Sequence, residues 1–348
     1  MIHKVCNRYL LFLLIGINVL VILAVILCYT TFMQFNIVFL QSREINNVFS
    51  STCNCNKSIT KNVLITGNNA EKENLCSFES SFYGERQRII SYSLYEYNEG
   101  KNKDKNSRMT ADLLKSIGKN LILLRQHFPG WLIRVYSDLN IDEYICGLTC
   151  RNAELQWCDI RGIQAYGNLS QVIGRIWRFL PLADPTVEMF LSRDLDSFLS
   201  LRDAAAVQDW LQNTTKPFTT FRDHKDHNYP ILAGLFGART NQLSEDFKKS
   251  KLETIISLAN KNNSNTLRKI YDQEILRDVL FMPNLKLFVT YDSYSCETWA
   301  RLSMVRPFPT KRNGTEFLGS TELWEKPTYR QICPVLCRPA FGKDWKNC

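Results

Sequence analysis

Two aspartates one residue apart, Asp194 and Asp196, lie in the stretch FLSRDLDSFLS at residues 190–200. They follow a strand-like apolar run formed by Val187, Met189, Phe190 and Leu191. At the end of a strand, side chains i and i+2 share a face. Two carboxylates on one face repel and call for a counter-charge. A hard divalent cation, Mg²⁺ or Mn²⁺, that also carries a diphosphate supplies one. The plain alternative is a solvated turn whose acids cap the next helix, because D-x-D is a short pattern.

The elements that must position this pair follow from the surrounding pattern. Residues 89–95 alternate and are rich in β-branched and aromatic side chains, which predicts a strand. Residues 110–128 carry apolar side chains at helical spacing (Leu113, Leu114, Ile117, Leu121, Leu124), and Pro129-Gly130 ends the run. Strands are expected at 131–137 and 153–158, a helix at 168–182, and, beyond the aspartates, a helix at 201–211. A short strand at 218–221 and helices at 247–258 and 267–280 complete the pattern. Strand, helix, strand at this spacing predicts an α/β fold with a mostly parallel sheet flanked by helices. Carboxylates at a strand's C-terminal end then fall where open α/β sheets bind ligands. The apolar segment PILAGLFGA at 230–238 contains Gly234, suited to a close backbone approach to a ligand. Neither a dinucleotide-binding nor a P-loop fingerprint is present.

The chain has 348 residues and is 45% hydrophobic, enough for one large core with length left over. From Leu10 to Cys28 the sequence is almost wholly apolar, and no charge occurs between Arg8 and Arg43. At about 1.5 Å per residue such a run crosses a bilayer of about 30 Å. It is longer than a signal-peptide core, and bulky residues rather than a small-residue cleavage site follow it. With Lys4 and Arg8 before the span, the short N-terminus is expected in the cytosol and the rest across the membrane. The expected organisation is a tail at 1–8, a transmembrane signal-anchor at 9–33, a stem at 34–85 and a lumenal domain at 86–348.

Apart from Cys6 and Cys28, ten cysteines remain, an even set suited to disulfides in an oxidising lumen, with Cys333, Cys337 and Cys348 pinning the C-terminal tail. Zinc at Cys333 and Cys337 is the weaker alternative, since no histidine follows them and no C-x-x-C exists. Sequons stand at Asn56, Asn168, Asn213, Asn262 and Asn313. The net charge of +9 is spread without a basic run, which argues against nucleic acid as a partner and suits anionic ligands.

Together these features resemble the Golgi-type glycosyltransferases of GT-A fold. The ordered series WLIRVYSD, IWRFLPLADP, FLSRDLDS, FRDHKDHNYPILAGLFGA, YDQEIL and RPFPTKRNGTEFLG is similar to a little-characterised, D-x-D-containing family of that kind, over roughly residues 88–322. The resemblance implies Asp194 and Asp196 as ligands of a divalent metal (Mn²⁺ or Mg²⁺), with Asp194, Arg178, Arg193 and Gly234 at the nucleotide-sugar diphosphate. It implies Asp272, Asp223 and His224 as catalytic candidates, with His227 beside them and Asp272 the first choice of base. A His-Asp pair is expected near Asp292, but this chain has Tyr291, which leaves the third metal ligand open between Asp292 and His224.

The expected activity is transfer of a sugar from a nucleotide-diphosphate donor to a glycan, protein or lipid acceptor in a Golgi or other secretory-pathway membrane. Inverting chemistry needs a carboxylate base; retaining chemistry does not. Two rivals stand beside it. One is a non-catalytic carbohydrate-binding or adaptor protein on a degenerate transferase fold. The other is a phosphohydrolase with an aspartyl nucleophile, which needs a further acidic pair that the sequence does not supply.

Overall fold

The computed structural model describes residues 43–50, 52–62, 74–96, 103–261, 268–313, 316–320 and 332–347. Its centre is an eight-stranded sheet in the order β10-β9-β7-β8-β6-β3-β4-β5. The strands are β3 (Gln87–Leu94), β4 (Leu132–Ser137), β5 (Leu155–Asp159), β6 (Val187–Arg193), β7 (Phe218–Arg222), β8 (Leu235–Ala238), β9 (Phe288–Asp292) and β10 (Met304–Arg306). Only β8 runs antiparallel to its neighbours, β6 and β7; every other pairing is parallel. The α/β class and the mostly parallel sheet are therefore as the sequence predicts.

Both faces of the sheet are covered, so its strands alternate between two apolar layers rather than between oil and water. Ile89, Phe190 and Phe218 face Trp177, Leu180 and Ile255, while Ile90, Ile133 and Leu191 face Ile117, Leu121 and Trp210. All seven residues of β6 are buried. The helix Lys103–His127 joins β3 to β4, and the helix Glu143–Arg151 joins β4 to β5. The chain then returns past β3 to lay down β6 on its other side. This reversal between β3 and β6 is the topological switch point at which open α/β sheets bind ligands.

Two expected helices take another form. Residues 168–182 are 3₁₀ segments, Leu169–Gln171 and Gly174–Ala183, not one α-helix. Pro181 lies inside the second, where it cannot donate to an α-helical ladder. Gly174 lies against Tyr95, whose ring is 2.4 Å from where a Cβ would sit. In the 267–280 region the α-helix is Tyr271–Leu276, followed by a π-helical turn, Arg277–Phe281.

The larger departure concerns the stem expected at 34–85. Its described part carries a β-hairpin, β1 (Arg43–Ser50) with β2 (Cys55–Asn62), and a helical turn, Phe78–Ser81. Disulfides Cys53–Cys146 and Cys55–Cys150 staple the hairpin to the helix Glu143–Arg151, and Cys76–Cys158 ties the following segment to β5. Lys57 Nζ donates to Leu155 O, and Tyr83 OH to Ala153 O. Among the described residues, regular structure thus begins well before residue 86, and the polar composition of residues 43–50, 52–62 and 74–85 reflects small surface-bearing elements held by cross-links instead of a large core.

Near the C-terminus, Cys296–Cys337 secures the tail, and Cys333 is disulfide-bonded as well. Asn56, Asn168, Asn213 and Asn313 are exposed. Among the described residues no helix is long and apolar enough to cross a membrane, and the predicted span at 9–33, Cys348 and the Asn262 sequon lie outside them.

Candidate active site at the switch point

A cleft of about 470 Å³ opens at the C-terminal ends of β3 and β6. Asp194, Asp196, Asp272, Arg178 and Gly234 line it, together with Ser93, Tyr95, Arg175, His227 and Lys269. The aspartate pair reaches the cleft from a turn, since β6 ends at Arg193 and Ser197 N donates to Asp194 O (3.1 Å). Presentation by a turn replaces the strand alternation expected from the spacing. The acids do not cap the next helix: Ser200 does, accepting from Asp203 N, so the capping role in the plain alternative fails while its turn is present.

Two buried side chains of the helix Lys103–His127 hold that turn. Ser116 Oγ donates to Leu195 O (2.8 Å), and Asn120 Oδ1 accepts from Leu199 N (3.1 Å). They stand four residues apart on the face that carries Ile117, Leu121 and Leu124. A polar pair on an apolar helix face is the sequence signal that could have found them.

Arg178 ties the acids of the cleft together. Its guanidinium bonds Asp194 Oδ1 through one nitrogen and Asp272 Oδ2 (3.1 Å) through another, and is itself buried. Its backbone N–H donates to Ser93 Oγ (2.9 Å) at the end of β3, which locks the 3₁₀ segment to the sheet. The other oxygen of Asp194 lies over Gly234, where a Cβ would come within 2.0 Å of it. Asp272 opens the helix Tyr271–Leu276, and its Oδ1 accepts from Gln273 N (3.0 Å). Burial raises the Asp272 carboxyl above the usual carboxylate range; Arg178 and Arg175 pull it down, and Asp194 adds to the rise. Asp196 is half-buried beside this group.

Other expected residues are placed elsewhere. Arg193 turns away from the cleft into a buried fork with Asp203 (2.7 and 2.9 Å), so it serves as an internal tie and not as a diphosphate group. Asp223 is fully buried and bonded by Arg202, Arg312, Ser293 Oγ and Leu318 N. Burial pushes its carboxyl up, but the two arginines and Ser293 more than reverse this and hold it at about 2. A carboxylate so engaged is a poor general base; it anchors Arg312 and Leu318 to the end of β7.

His224 stacks on Phe317, with ring centroids 4.4 Å apart, and is not part of the cleft wall. His227 is the histidine that lines it. Its Nδ1 accepts from Asp223 N (3.2 Å), and burial lowers its pKa to about 4. A neutral imidazole accepting at Nδ1 carries its proton on Nε2. Tyr291 is buried in the sheet and donates to Asp209, while Asp292 is spent on Arg222 (2.7 Å) and on the backbone of Tyr294 and Ser295. Neither can complete a ligand set with Asp194 and Asp196.

The donor set fits a metal of one kind. Among the described residues no three His, Cys, Asp or Glu side chains are grouped to hold an ion by themselves. Two carboxylates in an open cleft with cationic walls suit a hard cation that takes its remaining ligands from water and phosphate oxygens. Asp194 can offer Oδ2 to such an ion while Oδ1 stays on Arg178, because Gly234 leaves that oxygen room. No protein-family model matches the chain, and no curated protein matches it.

Proposed function

We propose that the chain is a metal-dependent glycosyltransferase of GT-A type. In this reading it acts in the lumen of the Golgi or another secretory-pathway compartment, anchored by residues 9–33. The observation that carries the reading is the Arg178 bridge between Asp194 and Asp272, set in a cleft at the switch point beside Asp196. It brings two closely spaced carboxylates, a counter-charge and a carboxyl of raised pKa into one site.

Asp194 and Asp196 hold the divalent cation. Bound there, Mn²⁺ or Mg²⁺ supplies neutralising charge to the departing nucleotide diphosphate. Arg175 and Lys269 line the same cleft and add positive potential toward the phosphates. His227, neutral near pH 7, presents an N–H donor rather than a lone pair, which suits hydrogen bonding to an anionic or sugar oxygen. In an inverting reaction, Asp272 takes the proton of the acceptor hydroxyl. Its raised pKa improves it as a base, and Arg178 keeps it ionised and oriented.

The reading is tested by measuring nucleoside-diphosphate binding with and without Mn²⁺, followed by a screen of nucleotide sugars for hydrolysis or transfer. Metal-dependent binding with turnover supports it. Binding of glycans without metal-dependent nucleotide binding would instead favour the non-catalytic carbohydrate-binding reading.

A further inference from the structure

Sharing no wall residue with the cleft, a partly enclosed cavity of about 110 Å³ lies between the stapled hairpin, the helix Glu143–Arg151 and β5. We propose that it binds a small carboxylate with a short apolar tail. Its walls are mostly apolar, among them Ile59, Tyr83, Ile145 and Leu155. Cavities of ~150 Å³ take up benzene, so this one suits a ligand of about five or six heavy atoms.

Two donors make the cavity selective. Trp157 is 6% exposed and forms part of the wall, and its Nε1–H meets no acceptor among the described residues. A buried donor keeps its desolvation cost until an acceptor reaches it. Lys57 is 7% exposed and uses one proton on Leu155 O, out of the three an ammonium can donate. Burial lowers its pKa to about 8, against the pull of Glu79 and Glu154, as expected for a charge short of compensation. The acids on the wall have other partners: Glu79 accepts from Ser50 Oγ (3.1 Å), and Asp159 is forked by Arg161 (2.8 Å). A carboxylate in the cavity accepts from both Trp157 and Lys57, and its tail displaces water from the isoleucines. An alcohol satisfies only part of the donor set, and an ammonium accepts from neither Trp157 nor Lys57.

The test uses the full-length, disulfide-intact protein in detergent, with butanoate as the probe and butan-1-ol and butylammonium as controls. The indole N–H resonance of Trp157 is assigned by its loss in Trp157→Phe. Butanoate is expected to shift that resonance saturably at millimolar concentration, with affinity about tenfold better than butan-1-ol, the size of one charge-assisted hydrogen bond. Trp157→Phe should weaken butanoate about tenfold in a thermal-shift titration, by the same reckoning. Lys57→Met should remove the preference for carboxylate over alcohol. No saturable shift, or equal affinity for all three probes, overturns the proposal and leaves a water-filled cavity. Should Lys57→Met fail to fold, the probe series and Trp157→Phe decide the matter alone.

Discussion

Gly234 and Asp194 fill one another's space. The carboxylate of Asp194 occupies the position a Cβ at 234 would need, 2.0 Å from Oδ2. The glycine keeps that oxygen clear of side-chain atoms, while Arg178 holds the other. Gly234→Ala should therefore swing the carboxylate out of register and cost about 10²–10³ in turnover, the effect of losing one preorganised electrostatic contact. Its far-ultraviolet circular dichroism should match wild type. Full turnover by Gly234→Ala would show that Asp194 need not stay where it is.

Neutralising the two aspartates should have unequal effects on stability. Asp196→Asn keeps the shape and hydrogen-bonding capacity of a half-buried side chain on the turn and should leave the melting temperature near wild type. Asp194→Asn strips the buried Arg178 of a charged partner and should cost about 1–3 kcal/mol. Like-charge repulsion alone, which the sequence suggests, would make both variants neutral or stabilising; the arginine bridge changes that. Both should abolish the stabilisation that Mn²⁺ plus a nucleoside diphosphate gives wild type, as read by thermal shift.

Arg178→Met should uncouple the site more thoroughly than either aspartate variant. It leaves Asp194 and Asp272 without their shared cation, and the buried Asp272 carboxyl should rise further. The acid limb of the pH–rate profile should move to higher pH. Arg178→Lys should shift it less, since a lysine keeps the charge but loses the two-way fork. An unmoved acid limb in Arg178→Met would exclude Asp272 as the titrating base.

Asp223 makes a prediction about acid stability. Its carboxyl sits at about 2 in the folded chain against 3.8 for the free side chain, so it is a depressed acid. The stability it contributes is present above the unfolded value and is lost as pH falls through about 2. Acid unfolding between those values, followed by circular dichroism, should be less steep in Asp223→Asn. That variant should also be less stable at neutral pH by about 3–5 kcal/mol, because two buried arginines lose their anion.

Peptide mapping without reduction should return Cys53–Cys146, Cys55–Cys150, Cys76–Cys158 and Cys296–Cys337. The first two close almost the same loop, with separations of 93 and 95 residues. Removing either alone should therefore cost much less than the ~4–5 kcal/mol that the chain-entropy model assigns to an isolated loop of that size, and removing both should cost nearly that much. Equal and additive losses would contradict this shared-loop account.

Much of the sheet was legible because its strands carry their own signal. The strands expected at 89–95, 131–137 and 153–158 stand as β3, β4 and β5, and the aspartate pair announced itself by charge at a strand end. Asp272 and Arg178 were legible as types, but not the bridge between them, which joins residues 94 apart in sequence. Asp223 and Arg193 misled for the opposite reason. Acids and arginines next to a motif look available, and only the tertiary structure shows them already paired. The hairpin was missed because its hold on the domain is covalent and cross-chain, which hydrophobic pattern does not record. Tyr291, which stands where a histidine was expected, lies in β9 with its ring stacked on Phe221, centroids 5.6 Å apart.

The hairpin has a consequence for how much of the chain can be cut away. β5 is the last strand of the sheet on its side, and an uncovered edge strand invites pairing with another copy. The hairpin and residues 74–85 occupy that side, touching the backbone of Leu155 and Ala153 and locked there by three disulfides. A chain shortened to begin at residue 86 would keep every residue of the cleft. It would also expose the outer side of β5 and free Cys146, Cys150 and Cys158 to react, so such a fragment is expected to aggregate where the longer chain stays dispersed.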